Sequence, residues 1–183
     1  VVIPDTVTVI QESAFAECTN LSSVVLSNEL KEIGAESFRQ SSISSIEIPK
    51  TLEKATCNNQ ANGPFMKCSN LKNATFAEGT TKVAQYLFAG CTGLEQITIP
   101  ETITSIENHA FTSCDNLVNV NLSDSITQIM EYAFAECKKI EAVKLPKNLE
   151  ILGVEAFAKT GLKSIEIPKR MQKAHVFWES SGG

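Results

Sequence analysis

The phenylalanines of this 183-residue chain recur at a fixed interval. Phe15 and Phe38 are 23 residues apart. The same step joins the next five in succession, which are Phe65, Phe88, Phe111, Phe134 and Phe157. Only the step from Phe38 to Phe65 differs, at 27 residues. A repeat of this length is the sequence signature of a stacked-repeat architecture such as a solenoid.

Each repeat carries an apolar pattern that predicts a short strand and a tight turn. Residues 94–99 read L-x-x-I-x-I, whose end alternates with the period of a strand. Pro100 follows, and because it has no N–H it ends the strand. Residues 110–114 read A-F-x-x-C with apolar groups at helical spacing, which predicts a short helical turn over residues 107–114. Because no unit can bury these residues alone, we expect the units to stack.

The full pattern, L-x-x-I-x-I-P-x-x-I-x-x-I-x-x-x-A-F-x-x-C, resembles the BspA-like leucine-rich repeat family. The A-F-x-x-C signature recurs at residues 14–18, 110–114 and 133–137, with variants at 64–68 and 87–91. The resemblance implies an α/β solenoid, a right-handed superhelix with a parallel concave β-sheet and short helical turns on the convex side. About eight units are present when the partial units at each end are counted.

The expected organisation is one leucine-rich repeat domain over residues 1–178 and a frayed tail over residues 179–183. Residues 176–178, which include the only tryptophan, could cover the last unit as a partial lid. Ser41 and Thr160 replace the repeat cysteine, and the next strand arrives one residue early, which predicts a tighter loop. A four-residue insertion near residues 56–63 is either a tolerated bulge or a partner-contact loop.

Four of the six cysteines occupy one column of successive repeats: Cys68, Cys91, Cys114 and Cys137. Stacked units lie ~4.8 Å apart, whereas disulfide-bridged Cβ atoms prefer ~3.8 Å. We therefore predict buried free thiols that pack as small apolar groups. Cys57 lies in the insertion, and is the one candidate for a reactive thiol or for a bridge to a column cysteine such as Cys68.

The sequence offers no constellation typical of catalysis, so we predict no catalytic, cofactor-binding or metal-binding residues. It has no G-x-S-x-G motif and no glycine-rich phosphate loop, and His109 and His175 are isolated from metal-ligand spacings. A net charge of −5 and only two arginines disfavour nucleic acid. A small basic cluster near the C-terminus, which includes Lys169, is interpreted as a solvated patch. No apolar run in this segment is long enough to span a bilayer.

The strand positions that face away from the predicted core form two variable, mostly small and polar columns. Their candidate ligand-contact residues are Glu47, Asn73, Thr75, Gln96, Thr98, Asn119, Asn121, Lys144 and Glu166. Aromatic and arginine hot spots, typical of tight protein interfaces, are absent from both columns. Binding through this face should be weak per unit and should strengthen by multivalency.

The resemblance implies a non-enzymatic interaction or adhesion module of a cell-surface or secreted protein. It further implies protein or glycoconjugate ligands on host or microbial surfaces. Two alternatives remain at this point, a structural spacer that carries another functional domain and an intracellular scaffold. Reduced cysteines would be compatible with the intracellular alternative.

Overall fold

In a computed structural model, residues 1–58, 62–169, 171, 173 and 174 are described. Their regular secondary structure consists of short parallel strands. The strands are β1 (Val9–Ile10), β2 (Glu32–Ile33), β3 (Ser45–Ile48), β4 (Lys54–Ala55), β5 (Asn73–Phe76), β6 (Lys82–Val83), β7 (Gln96–Thr98), β8 (Ser105–Ile106), β9 (Asn119–Asn121), β10 (Gln128–Ile129), β11 (Ile151–Leu152) and β12 (Lys173–Ala174).

Two rows of strands run along the stack, one for each apolar step of the repeat. The first row contains the pairs β3–β5 and β7–β9, and a single bridge between Val2 and Val25. The second row contains the ladders β1-β2-β4 and β6-β8-β10-β11-β12. The expected parallel concave sheet is therefore present as separate short pairs, and the segments that carry Lys144 and Glu166 are irregular.

The phenylalanine column forms the continuous core of the stack. Phe38, Phe65, Phe88, Phe111 and Phe134 are fully buried. Successive rings are stacked, with centroids 5.0 to 5.8 Å apart. The half-buried Phe76 replaces an aliphatic core residue, and its ring meets that of Phe88 edge-on at 6.5 Å. Each 23-residue interval in the sequence therefore corresponds to one step along the solenoid axis, from one stacked ring to the next.

The predicted helical turns are wrong: the described residues contain no helix, and the convex side consists of consecutive tight turns. In the unit around Phe111, His109 and Ser113 have positive φ values of 56° and 57°. A right-handed helix requires negative φ throughout, so two left-handed residues four positions apart prevent it from forming. The chain is therefore a β-solenoid, and the α/β class expected from the family resemblance is corrected.

These turns instead bond each unit to the next one. The amide of His109 donates to the Glu131 carbonyl at 2.9 Å. The amides of Phe111 and Ser113 donate to the carbonyls of Ala133 and Ala135, both at 2.8 Å. Alternating backbone conformations direct every second amide along the solenoid axis. Backbone polar groups that a helix would satisfy internally are thus satisfied between units.

The insertion is larger than the phenylalanine spacing indicates. Ile33 and Ala55 are paired, so they occupy equivalent positions in successive units. Phe38 follows Ile33 by five positions, whereas Phe65 follows Ala55 by ten, so this segment is five residues longer in the second unit. The unit at Ser41 lacks the two-residue turn that follows the cysteine in other units, which confirms the tighter loop. A five-residue insertion and a one-residue deletion thus combine to give the apparent excess of four. The second row of strands divides at this point, between β4 and β6.

The column cysteines are buried free thiols, as predicted. The Sγ atoms of Cys114 and Cys137 each donate to the carbonyl of the phenylalanine one unit earlier, at 3.1 Å. Cys68 makes the corresponding bond to the Phe38 carbonyl at 2.9 Å. Burial raises the pKa of the Cys91 thiol to about 12. The four column thiols are therefore buried structural groups, without the exposure that a reactive cysteine needs.

The two ends of the stack differ in how their last units are covered. At the N-terminal end Val2 is 73% exposed, and Phe15, the first ring of the column, is only half-buried. At the other end β12 pairs with β11, and Met171 packs against the core. A further unit therefore begins there. The predicted lid over residues 176–178, the tail over residues 179–183 and His175 lie outside the described residues.

Candidate functional site

All nine candidate ligand-contact residues are solvent-exposed, and most lie on the first row of strands. Register places the central ones next to one another: Gln96 pairs with Asn119, and Thr98 with Asn121. Glu47 pairs with Thr75 at the N-terminal side of this group. These side chains point outward because their strand neighbours, such as Ile97, are buried on the other face.

Three consecutive carboxamides form the centre of this face, and we call Asn73, Gln96 and Asn119 the amide ladder. The Gln96 Nε2 atom donates to Asn73 Oδ1 at 3.4 Å. Gln96 and Asn119 are directly paired residues of β7 and β9. The sequence column predicted the positions of these residues, but only the structure shows that the side chains of Gln96 and Asn73 contact each other.

A shallow depression of about 340 Å³ lies beside the amide ladder. It is lined by Glu95, Gln96, Asn116, Val118, Asn119 and Lys139. Val118, which is 44% exposed, is the one apolar side chain of this lining. The sequence did not predict Glu95, Asn116, Val118 and Lys139 as site residues, because they precede the outward strand positions from which the two candidate columns were defined.

The charged groups at the rim of the depression are already engaged by neighbouring units. Lys72 Nζ lies 2.6 Å from Glu95 Oε1, and this hydrogen bond lowers the pKa of the Glu95 carboxyl. Lys139 Nζ donates to Asn116 Oδ1 at 2.7 Å, and the Asn116 amide nitrogen donates to the Thr92 carbonyl at 2.7 Å. The Glu95 carboxylate is therefore compensated by Lys72, whereas Lys139 bonds to a neutral carboxamide.

A second ladder lies on the convex side and was not predicted. The ring of His109 is stacked between those of Tyr86 and Tyr132, with centroids 4.8 Å apart on both sides. The sequence did carry the signal, since the three residues are 23 apart. His109 was considered only as a metal ligand, and this aromatic stack was not predicted from the sequence. All three residues have positive φ, so stacking offsets part of the cost of the left-handed backbone.

Burial between the tyrosines lowers the pKa of the His109 imidazole, and the nearby Glu131 carboxylate partly opposes this shift. The Thr112 hydroxyl donates to the Tyr132 carbonyl at 2.7 Å. Its Oγ1 atom also lies 3.2 Å from His109 Nδ1, and it can accept from an N–H there, which favours the neutral tautomer with hydrogen on Nδ1.

The neighbouring Tyr86 hydroxyl interacts with Cys57, which is a free cysteine. Of the two alternatives for Cys57, the bridge to Cys68 is absent, and the reactive thiol stays a prediction.

The base of the insertion is anchored to the preceding unit. Glu36 Oε1 accepts from the side-chain amides of Asn58 at 2.6 Å and Asn62 at 2.9 Å. Its other oxygen lies 2.9 Å from Arg39 Nε, and Arg39 also pairs with Glu17 at 2.8 Å. The two ends of the loop are thus held together by one largely buried carboxylate. Whether the loop contacts a partner stays a prediction.

In the described part of the chain, no three His, Cys, Asp or Glu side chains are grouped so that they could hold a metal ion. In the same residues, no helix has the length and apolar character needed to cross a membrane.

The chain belongs to the BspA type leucine-rich repeat region family, whose model matches six copies over residues 1–59 and 58–181. Leucine-rich repeat proteins are typically protein-interaction modules, and their solenoid is in general a non-catalytic scaffold. Comparison with curated protein sequences found no match.

Solved structures with similar folds come from bacteria. A leucine-rich repeat protein from Eubacterium ventriosum is 22% identical, with a TM-score of 0.70, and the match covers 95% of this chain and 45% of that one. A leucine rich cell surface protein from Faecalibacterium prausnitzii is 22% identical (TM-score 0.52; 93% and 54% covered). The pneumococcal vaccine antigen PcpA is 19% identical (TM-score 0.53; 93% and 51% covered). The chain thus spans about half the length of these proteins, and similarity at this level shows the fold alone.

Proposed function

We propose that this solenoid is a non-enzymatic adhesion module of a cell-surface or secreted protein. It binds protein or glycoconjugate ligands on host or microbial surfaces through its outward strand face. The observation that carries the proposal is the contrast between the two kinds of column. The buried columns repeat phenylalanine and cysteine with little variation, whereas the exposed strand column changes from Thr75 and Thr98 to Asn121 and Lys144.

Two further observations support this proposal. The resemblance in fold to a described cell surface protein and to a vaccine antigen agrees with a surface location. The exposed face combines a depression with solvent-exposed amide and hydroxyl groups, which suits reversible recognition. Individual contacts of this kind are weak, so tight adhesion would arise from several units acting together.

The test is adhesion of the purified chain to immobilised mucin, extracellular matrix and bacterial cells. A triple variant with Thr98→Trp, Asn121→Arg and Lys144→Glu changes the shape and charge of the face. Because all three side chains are exposed, the fold should be retained. The matched control is Glu101→Lys with Thr102→Trp, two exposed residues in the turn after Pro100.

We expect the triple variant to lose adhesion and the control to retain it. Equal adhesion by wild type and triple variant would exclude this face and direct attention to the insertion. A wild-type chain that adheres to none of these surfaces would contradict the proposal and favour a structural spacer.

A further inference from the structure

The six strand positions at the centre of the outward face form a grid without charge. The amide ladder supplies one row, and Thr75, Thr98 and Asn121 supply the other. Each side chain carries a hydrogen-bond donor and an acceptor. All six are exposed. The grid can therefore bond to a ligand in which donors and acceptors alternate at short intervals.

Charge complementarity selects an uncharged ligand. Of the nearest ionic groups, Glu95 is paired with Lys72 at 2.6 Å, and Lys139 donates to the neutral Asn116 carboxamide at 2.7 Å. Glu47 and Lys144, which have opposite charges, lie at the two ends of the threonine-containing row. A charged polymer would meet no opposite charge at the six grid positions themselves, whereas an uncharged ligand can use all of their donors and acceptors.

The spacing of the grid favours a saccharide over a peptide. Units repeat every ~4.8 Å, close to the length of one hexopyranose residue in an extended β-1,4-linked chain. An extended peptide advances ~3.3–3.4 Å per residue and loses register with the grid after one unit. Tight peptide and protein interfaces also rely on tryptophan, tyrosine and arginine, and the grid contains none.

The depression adds the mixed contact that a sugar ring needs. Gln96 and Asn119 form part of both the grid and the lining, so a chain on the grid also reaches the depression. Val118 there offers an apolar contact to the C–H face of a ring, and the Glu95 carboxylate can accept from hydroxyls. Amide, carboxylate and aliphatic groups thus meet within one shallow surface.

We propose that the amide ladder and its neighbouring row bind an uncharged, extended oligosaccharide that lies along the solenoid axis, one sugar residue per unit. This inference rests on the proposed adhesive function and narrows its ligand to a neutral glycan. The two are separable, because an adhesion module could bind a protein through the same face.

The experiment compares adhesion to immobilised mucin before and after mild periodate oxidation, which cleaves vicinal diols of sugars and leaves the polypeptide chain intact. The double variant Gln96→Ala and Asn119→Ala removes two of the three ladder amides. The control is Glu101→Ala with Thr102→Ala. Adhesion is measured at two salt concentrations, since binding of a neutral glycan should depend little on ionic strength.

We expect periodate to abolish wild-type adhesion and salt to leave it unchanged. The double variant should lose about 25-fold in affinity, from roughly fivefold for each of the two lost hydrogen-bonding groups. Adhesion that survives periodate would overturn the glycan inference and leave the adhesion proposal standing. Periodate-sensitive adhesion that disappears at higher salt would overturn the neutral ligand. Absence of wild-type adhesion to intact mucin, matrix and bacterial cells would overturn both proposals.

Discussion

Phe134→Ala tests the physical basis of the stack. The Phe134 ring is fully buried and lies between two others, 5.0 Å from Phe111 and 5.2 Å from Phe157. The plane of the Phe134 ring is tilted by only 4° from that of Phe111 and by 8° from that of Phe157. Replacement by alanine removes the ring from the middle of a continuous column, where the surrounding units cannot close the gap without breaking their backbone hydrogen bonds.

The expected cost follows from these contacts. Burial and the residual cavity of a Phe→Ala change account for ~3–5 kcal/mol. Each lost stack adds ~0.5–1.5 kcal/mol beyond burial in favourable geometry. Because part of the stacking is already included in the first value, we expect about 4–5 kcal/mol. Phe134→Leu retains most of the volume and should cost about 1–2 kcal/mol.

The assay is urea unfolding followed by circular dichroism, with Phe157→Ala as the matched comparison. Phe157 is half-buried and stacks on Phe134 alone among the described residues, so its loss should cost about 2 kcal/mol. The slope of the free energy against urea should stay constant across the series. A cost below about 1 kcal/mol for Phe134→Ala, or equal costs at both positions, would refute the stacked column as the main stabiliser.

Three further predictions concern the thiols, the convex ladder and the insertion. Under native conditions an aromatic disulfide reagent should modify Cys18 quickly and the half-buried Cys57 more slowly, and should reach the four column thiols only after unfolding; rapid native modification of all six would contradict the buried column. The folded state holds the pKa of His109 below its unfolded value of about 6.5. The free energy of unfolding should therefore be highest above that pH, and should fall on acidification until the imidazole is also protonated in the folded state. This pH dependence should flatten in His109→Phe, and an unchanged profile would exclude the imidazole as its source. Glu36→Ala removes the acceptor shared by both ends of the insertion. It should lower the free energy of unfolding by about 1–3 kcal/mol and accelerate proteolysis between residues 56 and 63. The control Glu101→Ala should have neither effect.

The sequence predicted the buried half of the molecule well because its residues repeat. Phe111 and Cys114 stand at fixed offsets in each unit, and physical stacking requires the same type of group at the same height. Their burial and the absence of bridges within the column follow directly. Ser41 also proved informative, since the loss of its column cysteine coincides with a shortened loop.

The convex backbone could not be predicted in the same way. The left-handed positions carry side chains as different as Ser13, Glu36, Tyr86 and His109. None of these is glycine, so the residue type does not reveal the positive φ. Spacing alone therefore favoured a helical turn, while hydrogen bonding between units determined the observed turns.

The candidate site was predicted only as a set of exposed columns. Nine outward positions could be inferred from strand alternation, because a buried residue fixes the direction of its neighbours. The contact between Gln96 and Asn73 and the depression beside Val118 depend on how the units register, which the repeat pattern does not specify. The repeat pattern does not indicate the identity of the ligand either, since specificity arises at positions that do not repeat.

Hydrogen exchange on the mucin-bound chain tests the central claim most directly. We expect slower exchange confined to β5, β7 and β9, the strands that carry the amide ladder, with unchanged exchange in the convex turns around His109. Slower exchange in the convex turns or in the insertion, with these three strands unchanged, would contradict the claim that the outward strand face binds the ligand.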